Sequence, residues 1–232
     1  MSGFEIRPIA RIESDFDSPF GIPRQAGIVG ELCSKIVFEP EHRNDDALRG
    51  IEGYSHIWLI WQFSENLRAE FSPTVRPPRL GGNMRMGVFA TRSPFRPNSL
   101  GLSCVRLLGL EKTENSGTVL CVGGADLMNG TPIFDIKPYI PYSDCIPDAL
   151  EGFAPAPEFP LDVSFAPGTE ALLPPGKLDA LKKVLSCDPR PHYQKDPDRL
   201  YGMSFSGYNI QFKVNGSLLS VVAVTPPNGA AD

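Results

Sequence analysis

The sequence predicts a mainly β protein, and three observations carry that prediction. Short segments of alternating or continuously apolar residues recur along residues 4–140, separated by stretches rich in turn formers. That spacing is typical of an antiparallel barrel or sandwich. The 232 residues include 24 Pro and 22 Gly without a collagen-like period, a level that favours turns and short strands over long helices. Neither β-α-β alternation nor a GxGxxG run occurs, so a nucleotide-type ligand would not sit in a Rossmann crevice.

The elements follow in order. FEIRPIARI (4–12) alternates apolar and polar residues as a first strand, and SDFDSPFGIPRQA (14–26) is a loop of turn formers. IVGELCSKIVF (28–38) reads as a second strand with a bend, residues 40–52 as one helical turn ending at a Gly, and SHIWLIWQF (55–63) as a buried strand. SENLRAEFSPTVRPPRLGG (64–82) reads as a long exposed loop, a length uncommon in compact domains unless functional or mobile. MRMGVFATRS (84–93), SLGLSCVRLLGLEK (99–112), TVLCVGGADL (118–127) and TPIFDIKPYI (131–140) complete roughly seven or eight strands.

GFAPAPEFPLDVSFAPG (152–168) reads as a proline-rich linker. Beyond it, KLDALKKVLS (177–186) puts Leu178, Leu181, Val184 and Leu185 on one helical face. LYGMSFSGYNIQFKV and SLLSVVAV flank Asn215-Gly216, which suits a type I′ hairpin turn. The expected division is a β domain over residues 1–165 and a small α+β appendage over 166–232, with TPPNGAAD as a frayed tail.

The net charge of −5 argues against a general nucleic-acid binder, but the charge is uneven. Residues 1–67 carry eleven acids and six bases, whereas residues 68–106 carry seven arginines (Arg68, Arg76, Arg79, Arg85, Arg92, Arg96, Arg106) against Glu70 alone. A basic face on an acidic protein suits a polyanionic partner; structural arginines are the competing explanation. The five cysteines are scattered without a CxxC, and three histidines (His42, His56, His192) form no cluster with them. Reduced thiols are expected and a metal site is not. The N-terminus lacks a signal-peptide pattern and no apolar run reaches the ~18 residues of a membrane span, so a cytoplasmic protein is expected.

Two segments carry chemistry. In GVFATRSPFRPNSLGLS (87–103), Pro94 and Pro97 stiffen a loop that displays Arg92, Arg96, Asn98 and Ser99. Such a loop suits carboxylate or phosphate recognition, with a solvated surface loop as the alternative. GADLMNGTPIFDIKPYIPYSD (124–144) puts Asp126, Asp135, Lys137, Tyr139, Tyr142 and Asp144 around two strand ends. Asp135 and Lys137 share a strand face, either as an ordinary surface pair worth under ~1 kcal/mol or as groups that hold a polar ligand.

These segments, with PRQ at 23–25 and the GxxxxxHIWLIW run at 50–61, resemble the TrmO-type family of tRNA methyltransferases over about residues 4–165. DPRPHYQKDPDRLYGMSFSGYNIQF (188–212) resembles the C-terminal extension of bacterial members. The motifs show no clear departure from the family pattern, although Met128-Asn129 occupies a turn where smaller or acidic residues are expected. The resemblance implies a single antiparallel β-barrel that binds S-adenosylmethionine, a homodimer with the donor site near the subunit interface, and a tRNA substrate. The reacting atom would be N6 of a threonylcarbamoyl-modified adenosine next to the anticodon, in threonine-accepting tRNA.

Carried over residue by residue, Pro23, Arg24 and Gln25 match a donor-contacting loop, and His56 and Ile57 open the strand beside it. Arg92 and Leu102 flank the proline-braced loop, and Thr131, Pro132, Ile133, Phe134 and Asp135 match the final donor-binding strand. Arg85, Arg96 and Asn98 are the expected substrate contacts. Asp126, Asp135, Lys137 and Tyr139 are the candidate catalytic groups, while Trp58 and Trp61 are expected in the core. Two other classes compete: a non-catalytic S-adenosylmethionine- or RNA-binding regulatory module, and a thiol-dependent hydrolase using Cys104 or Cys145.

Overall fold

The computed structural model describes residues 3, 5–66, 70–77, 84–153, 161–191, 194 and 196–227. Arg68, Arg79, His192, and parts of the loop at 64–82, the linker at 152–168, the segment 188–199 and the C-terminal tail lie outside the described residues.

The chain is mainly β. Eight strands come first: β1 (Ala10–Glu13), β2 (Cys33–Phe38), β3 (His56–Gln62), β4 (Thr74–Val75), β5 (Met86–Gly87), β6 (Leu100–Thr113), β7 (Gly117–Gly123) and β8 (Pro132–Pro138). Six of them pair antiparallel in the order β1-β2-β7-β6-β3-β8, and β8 pairs back onto β1, so the ring closes. Closure leaves no open edge to template aggregation. The two-residue strands β4 and β5 form a separate ribbon.

Side-chain alternation fills the ring. Ile12, Ile36, Ile57, Leu59, Leu120 and Ile133 are fully buried inside it. Each such side chain contributes about 1.5–3 kcal/mol relative to exposure. The run 55–63 is not buried on both faces: Ile57, Leu59 and Trp61 point inward, while Trp58 and Ile60 are half-buried on the outer face.

A one-turn helix α1 (Pro141–Asp144) follows the ring. Then come β9 (Asp162–Phe165), α2 (Lys177–Ser186), β10 (Tyr201–Phe205), β11 (Tyr208–Asn215) and β12 (Leu218–Thr225). These strands form a second sheet, β10-β11-β12-β9, with β9 parallel to β12. Ala180, Leu181, Val184 and Leu185 of α2 are buried in its core.

The structure corrects several sequence expectations. Residues 84–93 are not one strand, because Val88 donates to Pro73 O and a 3-10 turn Val88–Ala90 follows the two residues of β5. The single turn expected at 40–52 is three short 3-10 turns. Residues 28–32 do not extend β2, because Val29 and Leu32 are buried in the second core. The proline-rich segment 152–168 is not all linker, since β9 within it pairs with β12. β9 thus belongs to the C-terminal sheet although it precedes the expected division at 165/166.

Residues 200–214 are two strands. Ser206 (φ 53) and Gly207 (φ 80) are both left-handed and make the type I′ turn between β10 and β11. At the next turn Asn215 still pairs with Leu218, so the loop is Gly216-Ser217 with only Gly216 (φ 59) left-handed. That is the type II′ form.

The two sheets are joined by the segment between β1 and β2. Phe16 lies edge-on to Phe205 at 5.6 Å, and Phe16, Val29 and Leu32, with Phe20, Ile22 and Ile28 around them, complete the C-terminal core. Asp15 receives Lys177 Nζ at 2.6 Å and its carbonyl accepts the Ser206 N–H. Asp17 accepts from Asn129 near the ring and from Ser204 of β10.

Candidate active site

A cleft of about 480 Å3 opens at one end of the ring. One wall is the joining segment, through Pro19, Ile22, Pro23, Arg24 and Gln25. The opposite wall is the proline-braced loop, through Thr91, Arg92, Pro94 and Arg96. The floor comes from strand ends: Trp58, Trp61 and Gln62 of β3, Leu100 to Ser103 of β6, and Asp126, Met128 and Thr131 from the loop between β7 and β8. This volume and mixed lining fall within the range of small-molecule sites.

The floor is set by one close approach. Trp61 and Gly101 are register partners, and a β-carbon at Gly101 would overlap the indole ring. The glycine lets the ring lie against the backbone of β6. From there the Trp61 indole N–H donates to Ser103 Oγ at 3.0 Å, and Ser103 Oγ donates to Asp126 Oδ1 at 2.6 Å. Ser103 is buried, so the chain of hydrogen bonds is sheltered from water until it reaches the carboxylate.

Burial pushes the Asp126 carboxyl above the ordinary carboxylate range. The Ser103 hydroxyl, the backbone amides of Asp126 and Ala26, and the charge of Arg92 act in the opposite sense. The backbone there is fixed by Gly124 (φ 73), where a β-carbon would press on the Gly27 backbone. Gly27 N–H donates to Gly124 O at 2.8 Å, tying the Asp126 loop to the wall at Pro23–Gln25.

The two walls meet where Arg92 donates to the Gln25 side chain. Gln25 Nε2 in turn donates to Arg24 O at 2.5 Å. Arg96 is a bracing residue, donating to Thr91 O at 2.7 Å within its own loop. The loop closes on Ser99, a buried non-glycine residue at φ 48 whose carbonyl accepts the Phe63 N–H.

Of the residues singled out from sequence, the cleft gathers Pro23, Arg24, Gln25, Arg92, Arg96, Leu102, Asp126 and Thr131. The others lie elsewhere. Ile57 and Ile133 are in the ring interior, Pro132 is buried beside them and Phe134 is half-buried. His56 is exposed and packs edge-on to Tyr139, which also rests on Trp58. Asp135 and Lys137 form an exposed pair at 3.2 Å. Arg85 and Asn98 are exposed and do not line the cleft. Of the four candidate catalytic groups, Asp126 alone is at the cleft.

Sequence reasoning passed over Ser103, Gly101 and the cleft-facing role of Trp61. A signal for them existed: Gly101, Ser103 and Val105 alternate onto one strand face, and a hydroxyl between a glycine and a valine on an inward face needs a polar partner. The expectation that Trp61 is core holds, since it is buried. Trp58 is only half-buried and donates its indole N–H to Asp144 at 3.0 Å.

Neither Cys104 nor Cys145 lines the cleft. Burial, with the Asp144 charge, pushes the Cys104 thiol up, away from the thiolate a nucleophile requires. Among the described residues, no three His, Cys, Asp or Glu gather as a metal site, and no helix is long and apolar enough to cross a membrane.

Comparison with known proteins agrees on one family. Residues 11–145 match the tRNA-methyltransferase O N-terminal domain, and residues 159–227 match the TrmO C-terminal domain. The tRNA (adenine(37)-N6)-methyltransferase of Escherichia coli (strain K12) is 38% identical over 235 residues, covering 97% of this chain and 100% of that one. A Pseudomonas aeruginosa relative, RcsF, with the provisional name of an S-adenosylmethionine-dependent methyltransferase, is 40% identical over 208 residues, 85% of this chain and 87% of its own. The crystal structure of TrmO from Pseudomonas aeruginosa superposes with a TM-score of 0.77 at 30% identity, covering 97% of this chain and 99% of that chain.

Proposed function

This chain belongs to the TrmO family, and on that premise we propose that it methylates N6 of adenosine 37 in tRNA with S-adenosylmethionine as donor. We further propose that the substrate adenosine already carries N6-threonylcarbamoyl, in threonine-accepting tRNA. The observation that carries the chemistry is the Trp61–Ser103–Asp126 chain of hydrogen bonds ending at a carboxylate in the cleft.

The cleft suits the donor. Its apolar floor matches an adenine and a thioether chain, and Arg92 or Arg24 can meet a carboxylate. Pro23, Arg24, Gln25, Arg92, Leu102 and Thr131 would hold it. When bound, the donor supplies a methyl on a cationic sulfur, for which in-line positioning is the main requirement. The chain's own residues then position the acceptor and take its proton. An N6 acylated as a urea gives up its proton more readily than plain adenine N6, so a carboxylate is a sufficient base. Asp126 accepts that proton at Oδ2, while Ser103 keeps Oδ1 occupied and the carboxylate aimed. Asp135, Lys137 and Tyr139 have no part in this step.

We also propose a homodimer. Leu102 is 58% exposed on the outer face of β6, next to half-buried Trp58 and Ile60 of β3, an apolar face that a one-sided sheet would normally make polar. Leu102 also lines the cleft, so a second copy on this face would roof the site. A tRNA substrate implies the cytoplasm as the compartment.

The test is mass spectrometry of tRNA nucleosides after incubation with donor. The expected result is a one-methyl gain confined to tRNA that carries the threonylcarbamoyl group. Donor binding without any mass gain would make the protein a binding module. A methyl gain on unmodified adenosine 37 would remove the substrate assignment alone.

A further inference from the structure

Beside the cleft, on the β4–β5 ribbon, two aromatic rings face water. Phe71 is 50% exposed and Phe89 is 73% exposed, and their rings stack at 6.3 Å with 22° between planes. The local fold holds them there. Thr74 pairs with Gly87 and Val75 with Met86, and Val88 N–H donates to Pro73 O at 3.0 Å. Val88 is buried, so the 3-10 turn that follows turns Phe89 outward while its neighbour anchors the backbone. An unpartnered aromatic pair on a braced ribbon is surface that water solvates poorly.

The surroundings say what covers it. The Arg96 guanidinium lies 5.9 Å from the centre of the Phe89 ring, and Arg96 also lines the cleft. Arg76 follows β4 and Arg85 precedes β5, both exposed. Among described residues 70–77 and 84–106, Glu70 is the sole acid. Exposed rings beside several guanidinium groups match a single-stranded nucleic acid: bases stack on the rings and phosphates meet the cations. A second copy of this acidic chain is a poorer match for such a basic border.

We propose that Phe71 and Phe89 form a stacking platform for a nucleobase flanking the adenosine presented to the cleft. This rests on the RNA-substrate reading above and assigns the ribbon a part in it. The rings do not touch the donor subsite; they position the acceptor strand, and Arg96 links platform to cleft.

The experiment uses an anticodon stem-loop RNA with 2-aminopurine replacing the nucleotide next to the target adenosine. Wild-type protein is expected to quench the fluorophore on binding. Phe71→Ala/Phe89→Ala is expected to lose the quench and weaken RNA binding about 5- to 100-fold, with the S-adenosylmethionine Kd unchanged. Phe89→Trp should retain both quench and affinity. An Ala variant with wild-type quench and RNA affinity overturns the platform, as does an equal loss in donor binding or a change in oligomeric state without change in RNA affinity. The two readings separate cleanly. Quenching that depends on the rings, with no methyl transfer to tRNA, keeps the platform and sinks the enzyme. Methyl transfer with a wild-type KM for tRNA in the Ala variant does the reverse.

Discussion

The Ser103 hydroxyl sits 2.6 Å from Asp126 Oδ1 and receives the Trp61 indole N–H on its other side, so one buried oxygen joins the ring interior to the cleft. Ser103→Ala breaks both bonds. The stranded indole N–H should cost about 1–3 kcal/mol, read by chemical denaturation. The same change removes a donor that holds the Asp126 pKa down, so the acidic limb of the kcat/KM–pH profile should move to higher pH. An unmoved limb would show that Asp126 is not the group being titrated.

Asp126→Asn should lower kcat about 10^2- to 10^4-fold, the usual worth of a positioned base, with donor affinity nearly retained. Its effect on stability has a definite sign. A folded-state pKa above the ordinary carboxylate value of 3.8 means that this group's contribution is present below that value and is lost as pH rises through the folded pKa. The Asn variant should therefore gain in Tm relative to wild type at neutral pH, and the gain should vanish below about pH 4.

Arg92 and Arg96 should part company. Arg92 is exposed and meets Gln25 and the field of Asp126, so Arg92→Ala should cost under ~0.5 kcal/mol of stability while weakening the donor Kd and raising the acidic limb. Arg96 braces its loop through Thr91 O, so Arg96→Ala should cost about 1.5–3 kcal/mol as well as activity. Thermal melts of the two variants distinguish them.

Lys177→Met should destabilise strongly, by about 3 kcal/mol, because it leaves Asp15 buried without its cation. Asp15→Asn combined with Lys177→Met should recover much of that loss. A double-mutant cycle in urea measures the coupling.

The Asp135–Lys137 pair should behave oppositely. Both side chains are roughly half exposed, so their coupling should stay under ~1 kcal/mol and fall with salt, with turnover unaffected by either single change.

Local pattern was enough to read most of the strands. β3 and β8 lie within their expected segments, β6 and β7 overrun theirs by one residue each, and α2 matches its apolar face, because alternation and the 3.6-residue period are written locally. The misreadings share a physical cause. Val29 and Leu32 look like the start of β2 in sequence, but tertiary burial draws them into the other core. Asn215-Gly216 carries the stronger type I′ signal, yet pairing register makes Gly216-Ser217 the loop and leaves type I′ to Ser206-Gly207. At the site, arginine density and proline bracing pointed to a loop that lines the cleft. Which carboxylate reaches the cleft was not legible, since Asp126 and Asp135 differ in where the closed ring aims them rather than in local sequence.

The wall at Pro19–Gln25 has a temporal consequence. Its anchors, Phe16, Phe20 and Ile22, are made early on the ribosome, but the residues that bury them lie in α2 and β10–β12, some 160 residues and more downstream. Contacts of such sequence separation close late and slowly. A nascent chain therefore has its ring strands and its proline-braced loop long before it has a finished cleft. Competence to bind the donor should arrive in one step, with the synthesis of the last sheet.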